Sequence, residues 1–236
     1  LYVNKYAWSI CIAQKIWIPL FFITSKATIM YPFRSRYDDI VFECVINPLH
    51  NICLVLLDGL PSSQPSKKTV MQKLYDLWYS VIAPRYQGTR ESGGKFLDHP
   101  PAADIIWVIN YCKQNSIYDY YNKTYYDISM MKFCLIGVSF GGIVALDIMQ
   151  QSDLCSYSVL ISPVVSLEKH NHRWDEQDLF WLYDFIHHGF GDAYRVSSWD
   201  RKRMCQWKLF DSNISLLQQK KHTIWLIHGT DDTHVR

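Results

Sequence analysis

Phe133-Cys-Leu-Ile-Gly-Val-Ser-Phe-Gly-Gly142 is the stretch that decides the fold. From Met130 to Ile136 the chain is apolar apart from Lys132, the composition of a central parallel strand covered on both faces. Beyond Gly142 come Ile143, Val144, Ala145, Leu146, Ile148 and Met149, dense enough for a helix buried against that sheet. Between strand and helix the chain must turn sharply with Ser139 at the apex, the G-x-S-x-G pattern of a nucleophile elbow. Gly137 and Gly141 leave room for the turn, since side chains there collide with strand and helix. The turn exposes the Ser139 hydroxyl and aims the backbone N–H of Phe140 at the place where an oxyanion develops.

Outward from this segment, buried runs alternate with helical patterns. Asp39 to Val45 reads as a strand, and Asn51 to Leu57 as a fully buried one that ends at Asp58-Gly59-Leu60-Pro61. Ser66 caps a short helix with Val70 and Leu74 on one face, and Trp78 to Ala83 is the next strand. Pro100-Pro101 opens a helix carrying Ala102, Ile105, Ile106, Ile109 and Cys112 at spacings of three and four. Tyr157 to Ile161 and Thr223 to Ile227 are the last strands. This rhythm predicts an α/β fold with a mainly parallel, doubly wound sheet. The aromatic-rich stretch from Val164 to His222 interrupts it and is expected to form a helical cap above the sheet's carboxyl edge, where ligands bind in such sheets. Within it Leu179, Tyr183 and Ile186 share one face of a helix ending at His187-His188-Gly189.

With 236 residues and 49% hydrophobic content, the chain can bury one large core: a single domain over 30–236, with 1–29 a lead-in. The net charge is +2, and Lys67-Lys68, Arg201-Lys-Arg203 and Lys220-Lys221 are too sparse for a nucleic-acid footprint, so they read as solvated faces. The seven cysteines include no C-x-x-C pair and their number is odd, which favours a reducing, cytoplasmic setting. Trp8 to Thr24 is apolar but broken by Gln14, Lys15 and Pro19, so no stable membrane span is expected. His170-x-His172 has no accompanying ligand set at zinc-like spacing, and no metal is expected.

Three motifs carry a resemblance. Gly137-Val-Ser-Phe-Gly-Gly142 is the elbow, Ala83-Pro-Arg-Tyr-Gln-Gly-Thr-Arg-Glu-Ser-Gly-Gly94 follows a P-x-Y-x-G-x-x-x-S-G pattern, and His228-Gly-Thr-Asp-Asp-Thr-His-Val235 follows H-G-x-x-D-x-x-V. From about Asp39 onward the chain resembles the α/β-hydrolase superfamily. Within it, the chain resembles the catalytic domain of prolyl-oligopeptidase and acylaminoacyl-peptidase-type serine hydrolases. The resemblance implies Asp232 as the catalytic acid, with Asp231 the competitor, and the backbone N–H of Leu60 as the second oxyanion donor beside that of Phe140. Two departures stand out. Asp58 occupies the place of the usual histidine before Gly59, where a carboxylate opposes a developing negative charge unless it points away or pairs with a cation. The fold's histidine follows its acid on a loop after one more strand, whereas this chain stops at Arg236 and none of its nine histidines is well placed. The expectation is a fragment lacking its last strand, helix and histidine, nearly inert towards an activated ester as it stands. The reaction expected of the complete protein is hydrolysis of small peptides, amides or esters through an acyl-enzyme on Ser139, without cofactor. The alternatives are a non-enzymatic binding protein of the same fold, or an acyl transferase.

Overall fold

The structure, a computed structural model, describes residues 31–62, 64–165, 179–196 and 214–232. The lead-in, the Arg201–Arg203 triplet, the His170-x-His172 pair and much of the expected cap lie outside them. The chain enters through an antiparallel hairpin, β1 (Phe33–Tyr37) and β2 (Ile40–Val45), then runs β3 (Ile52–Leu57), α1 (Gln64–Asp76), β4 (Ser80–Pro84) and α2 (Pro101–Gln114). A small hairpin, β5 (Ile117–Asp119) and β6 (Thr124–Tyr126), precedes β7 (Lys132–Val138), α3 (Phe140–Gln151) and β8 (Cys155–Ile161). Last come α4 (Leu179–Phe190), a 3-10 turn at Gly191–Ala193, α5 (Ile214–Gln219) and β9 (Ile224–Ile227).

The main sheet has the order β1-β2-β4-β3-β7-β8-β9; β1, β2 and β4 pair antiparallel, and β4 through β9 are parallel. Helices α2 and α3 cover one face, burying Ile105, Ile109, Ile143 and Val144 with Cys53, Val55 and Leu135. On the other face α1 sets Met71 among Val45, Leu54, Leu56, Val81 and Ala83. The burial of β3 and β7 between these layers explains why both read as unbroken apolar runs. Among the described residues, no helix is long and apolar enough to cross a membrane.

Several local expectations shift. Helix α1 begins at Gln64, so Ser66 lies inside its first turn instead of capping it, and Pro65 takes a position whose missing N–H costs nothing. Its buried face is Lys67 and Met71, with Leu74 partly buried, while Val70 is exposed. Lys67 is therefore no part of a solvated face. Lys220 is not free either: its ammonium donates to the carbonyls of Met149 (2.6 Å) and Ser152 (3.0 Å) at the carboxyl end of α3. Of the expected α4 face, Ile186 is buried. Helix α5 packs against α3.

From β3 the chain crosses to β4 on one side, and its next partner on the other side is β7. The carboxyl ends of β3 and β7 thus flank the point where strand order reverses, the crevice that open α/β sheets use for ligands. Leu57 pairs with Gly137 at that end, so Asp58 and Ser139 leave the sheet side by side.

Candidate active site

Ser139 has φ 50° and ψ −117°, a conformation that residues with a side chain rarely adopt. Its N–H donates to the Ile161 carbonyl (3.0 Å), and its carbonyl accepts from Gly142 (2.9 Å) and Val164 (3.0 Å). These bonds, from the end of β8 and the start of α3, hold the strained turn. A Cβ on Gly141 would lie 2.2 Å from the Leu57 carbonyl oxygen, and one on Gly137 would lie 2.4 Å from that of Gly141. Only hydrogen at both positions lets the helix start this close to β3 and β7.

The loop after β3 lies against the serine: a Cβ on Gly59 would approach Ser139 Cβ and the Val138 carbonyl oxygen to 3.3 Å. Leu60 comes next, with a cis peptide to Pro61. Among the described residues no group accepts the Leu60 N–H. Phe140 opens α3, where first-turn amides point out along the helix axis. Its ring is buried edge-on against Tyr86 (5.8 Å) and beside Phe96 (6.0 Å), both from the loop after β4. The elbow and the P-x-Y-x-G motif are thus joined by one aromatic cluster, which continues to Tyr194 and Phe190.

Four side chains fix the Asp58–Ser62 loop from outside. The Lys67 ammonium donates to Asp58 Oδ2, with 4% of the lysine side chain and 18% of the aspartate side chain exposed. Tyr86, whose phenol burial pushes well above its ordinary pKa, donates its O–H to the Asp58 carbonyl (3.1 Å). Tyr194 Oη accepts from the Ser62 N–H (3.0 Å), and the Arg90 guanidinium donates to the Ser62 carbonyl. Asp58 therefore has its cation. The sequence reading put Lys67 on a solvated face and gave Tyr194 no role of its own; the i, i+4 spacing of Lys67 with Met71 is the one local signal that could have marked the lysine. A cavity of about 410 Å³ opens here, lined by Leu56, Leu60, Ile136, Val138 and Ile161 together with Lys67 and Ser139.

Asp232 lies in the turn after β9, its N–H reaching the Gly229 carbonyl at 3.4 Å, and is half-buried; Asp231 is exposed. Strand β8 separates β9 from β7, so Asp232 and Ser139 leave strands two spacings apart, roughly 10 Å. Among the described residues no histidine ring hydrogen-bonds the Ser139 hydroxyl. His99 instead pairs with the buried Asp104 (2.6 Å), whose other oxygen accepts from the Gln87 N–H (2.8 Å). Burial raises the Asp104 carboxyl despite those bonds. His188 bonds the Asp184 carbonyl (2.8 Å) near the end of α4. Among the described residues no cluster of histidine, cysteine or carboxylate could hold a metal ion.

No protein-family profile matches the chain, and no curated relative matches it in sequence. Solved structures do match in shape. An esterase of Pyrococcus furiosus is 18% identical, with 88% of this chain and 85% of that one aligned and a TM-score of 0.52. A soluble variant of monoglyceride lipase from Saccharomyces cerevisiae, in complex with a substrate analogue, is 14% identical over 90% of this chain and 82% of its own, at a TM-score of 0.54. A hypothetical protein of Pseudomonas aeruginosa is 10% identical over 85% and 76%, at 0.51. At these identities the likeness is one of fold, and the chain has the α/β-hydrolase fold. None of the three is described as a peptidase, so the finer resemblance to the prolyl-oligopeptidase type is not part of that likeness.

Proposed function

We propose that the protein is a serine hydrolase that cleaves small esters, amides or peptides through an acyl-enzyme on Ser139. The observation that carries this reading is the strained Ser139 turn at the sheet's switch point with the Gly59–Leu60 backbone laid against it. In this mechanism Ser139 Oγ bonds to the substrate carbonyl carbon as its proton passes to a histidine base. The former carbonyl oxygen becomes the oxyanion, bound by the Leu60 and Phe140 N–H groups. The tetrahedral adduct collapses, the leaving group takes the proton, and an acyl-serine remains for water to hydrolyse by the reverse route. Asp232 orients the histidine and stabilises its cationic form.

Among substrates, esters with an apolar acyl or alcohol group fit the aliphatic lining of the cavity best. The fold neighbours named as an esterase and a monoglyceride lipase support that preference, and the sequence motifs keep small peptides and amides in the set. Of the expected cap, the described residues Ala193, Tyr194 and Arg195 bond the loops at the carboxyl edge, in keeping with this reading. A cytoplasmic setting accords with the free state of Cys44, Cys53, Cys112, Cys134 and Cys155.

The test is hydrolysis of 4-nitrophenyl acetate and butyrate by the complete gene product and its Ser139→Ala variant. The expected result is turnover that falls by about 10⁶-fold in the variant, as when a triad serine is removed. A well-folded protein with no turnover above that of its Ser139→Ala variant and of buffer would sink this reading in favour of a non-enzymatic binding protein.

A further inference from the structure

Asp58 is the feature of the site that chemistry argues against, and the structure contains its remedy. The residue leaves the end of β3 next to Gly59, which touches Ser139, and two positions before Leu60. Two residues of chain span at most roughly 7 Å. At an effective dielectric of about 20, a like charge at that range opposes a developing anion by roughly 50-fold. Lys67 comes from α1 and lines the same cavity, and its buried ammonium donates to Asp58 Oδ2. The Asp58 main chain is held separately, through its carbonyl to Tyr86. Among the described residues the lysine ammonium is thus bonded to the carboxylate alone, and the backbone path to Leu60 has its own support.

We infer that Lys67 is a positioning residue for the proposed reaction: it turns the Asp58 carboxylate towards α1 and cancels its charge, so that an anion can form beside Ser139. The inference rests on the serine-hydrolase reading above. Without the lysine, the Asp58 carboxylate is left unpaired beside the forming oxyanion and repels it. Removing the carboxylate instead leaves no repulsion to cancel. The two ends of one ion pair therefore have unequal effects.

The experiment is equilibrium binding of phenylboronic acid to the complete gene product. The boron becomes tetrahedral and anionic on bonding to the serine oxygen, so it reads the anion site without a general base. Affinity is measured by calorimetry from pH 6 to 9 for the wild type and for Ser139→Ala, Lys67→Met, Asp58→Asn and Asp58→Asn/Lys67→Met, with a thermal melt of each. The wild type is expected to bind in a Ser139-dependent way. Lys67→Met should bind more weakly by about 10- to 100-fold at pH 8. The double variant, in which neither charge is buried, should recover to within about three-fold. Equal weakness of Lys67→Met and the double variant at every pH would overturn the inference, because Lys67 would then only brace the helix. Unchanged affinity in Lys67→Met would overturn it too, while leaving the nucleophile reading intact. Absence of binding by the wild type, or binding indifferent to Ser139, would remove the nucleophile reading and the inference with it.

Discussion

Replacing Asp147 by asparagine removes a carboxylate that folding makes harder to ionise. Asp147 lies in α3 at 5% exposure, with Oδ1 accepting from Gln151 Nε2 at 2.6 Å. Its Oδ2 is buried and has no hydrogen-bond partner among the described residues. Burial pushes the carboxyl up to about 6, against ~3.9 in an unfolded chain. The folded state therefore holds this proton more tightly than the unfolded state does. The contribution to stability is fully present below about pH 4, is lost as the pH rises through 6, and is flat above. A shift of about two units corresponds to roughly 3 kcal/mol, of which about half falls between pH 5 and 8. In a chain of this length ~1 kcal/mol moves Tm by about 2–4 °C, so Asp147→Asn should gain roughly 3–5 °C on the wild type between those pH values. Thermal melts of both proteins followed by circular dichroism at pH 5, 6, 7 and 8 provide the comparison. The fixed cost of burying an amide cancels, because only the change in the gap with pH is read. A gap that stays constant, or narrows as the pH rises, would refute the reasoning.

Gly141→Ala forces a Cβ to 2.2 Å from the Leu57 carbonyl oxygen, an overpacking against backbone that should cost about 3 kcal/mol and lower Tm by roughly 6–12 °C. A change under about 2 °C would show that α3 can shift away from β3. Cys44 and Cys53 are fully buried with thiols raised well above their ordinary range, and Cys112 and Cys155 are pushed up to about 12. Peptide mapping after treatment with a disulfide reagent at pH 8 should find all four unlabelled in the folded protein and labelled in urea. Labelling of any of them without denaturant would contradict their burial on β2, β3, α2 and β8.

The features legible in the sequence were the ones that short-range physics dictates. The elbow could be read because strand, glycines, serine and helix lie within twenty residues, and the turn's steric demands fall on Gly137 and Gly141 themselves. Strands β3 and β7 showed as apolar runs because both faces are covered. The strand β1 was missed because only Phe33 of its five residues is buried, and Phe33-Arg-Ser-Arg-Tyr37 carries no alternation to detect. The hairpin of β5 and β6 has strands of three residues each, too short for a period to register. Lys67 was misread for a different reason. A Lys-Lys pair looks solvated until the phase of α1 is known, and that phase is set by Met71 docking on strands distant in sequence. Tyr194 showed only as one aromatic of the Val164–His222 stretch, and its bond to Ser62 could not be read, since that partner lies 132 residues earlier.

That last separation bears on how the protein is made. The loop beside Ser139 is held by Tyr194, and Arg195 bonds the carbonyls of Ser92 and Gly94, 103 and 101 residues earlier. Contacts of such span form only after large loops have closed, and the entropy of closure is lost before the contact returns anything. Synthesis proceeds from the amino end at about 5–20 residues per second. The Asp58–Ser62 loop therefore leaves the ribosome many seconds before its Tyr194 clamp exists. A nascent chain therefore has every partner of its serine turn, the last being Val164, before the Asp58–Ser62 loop meets its Tyr194 clamp.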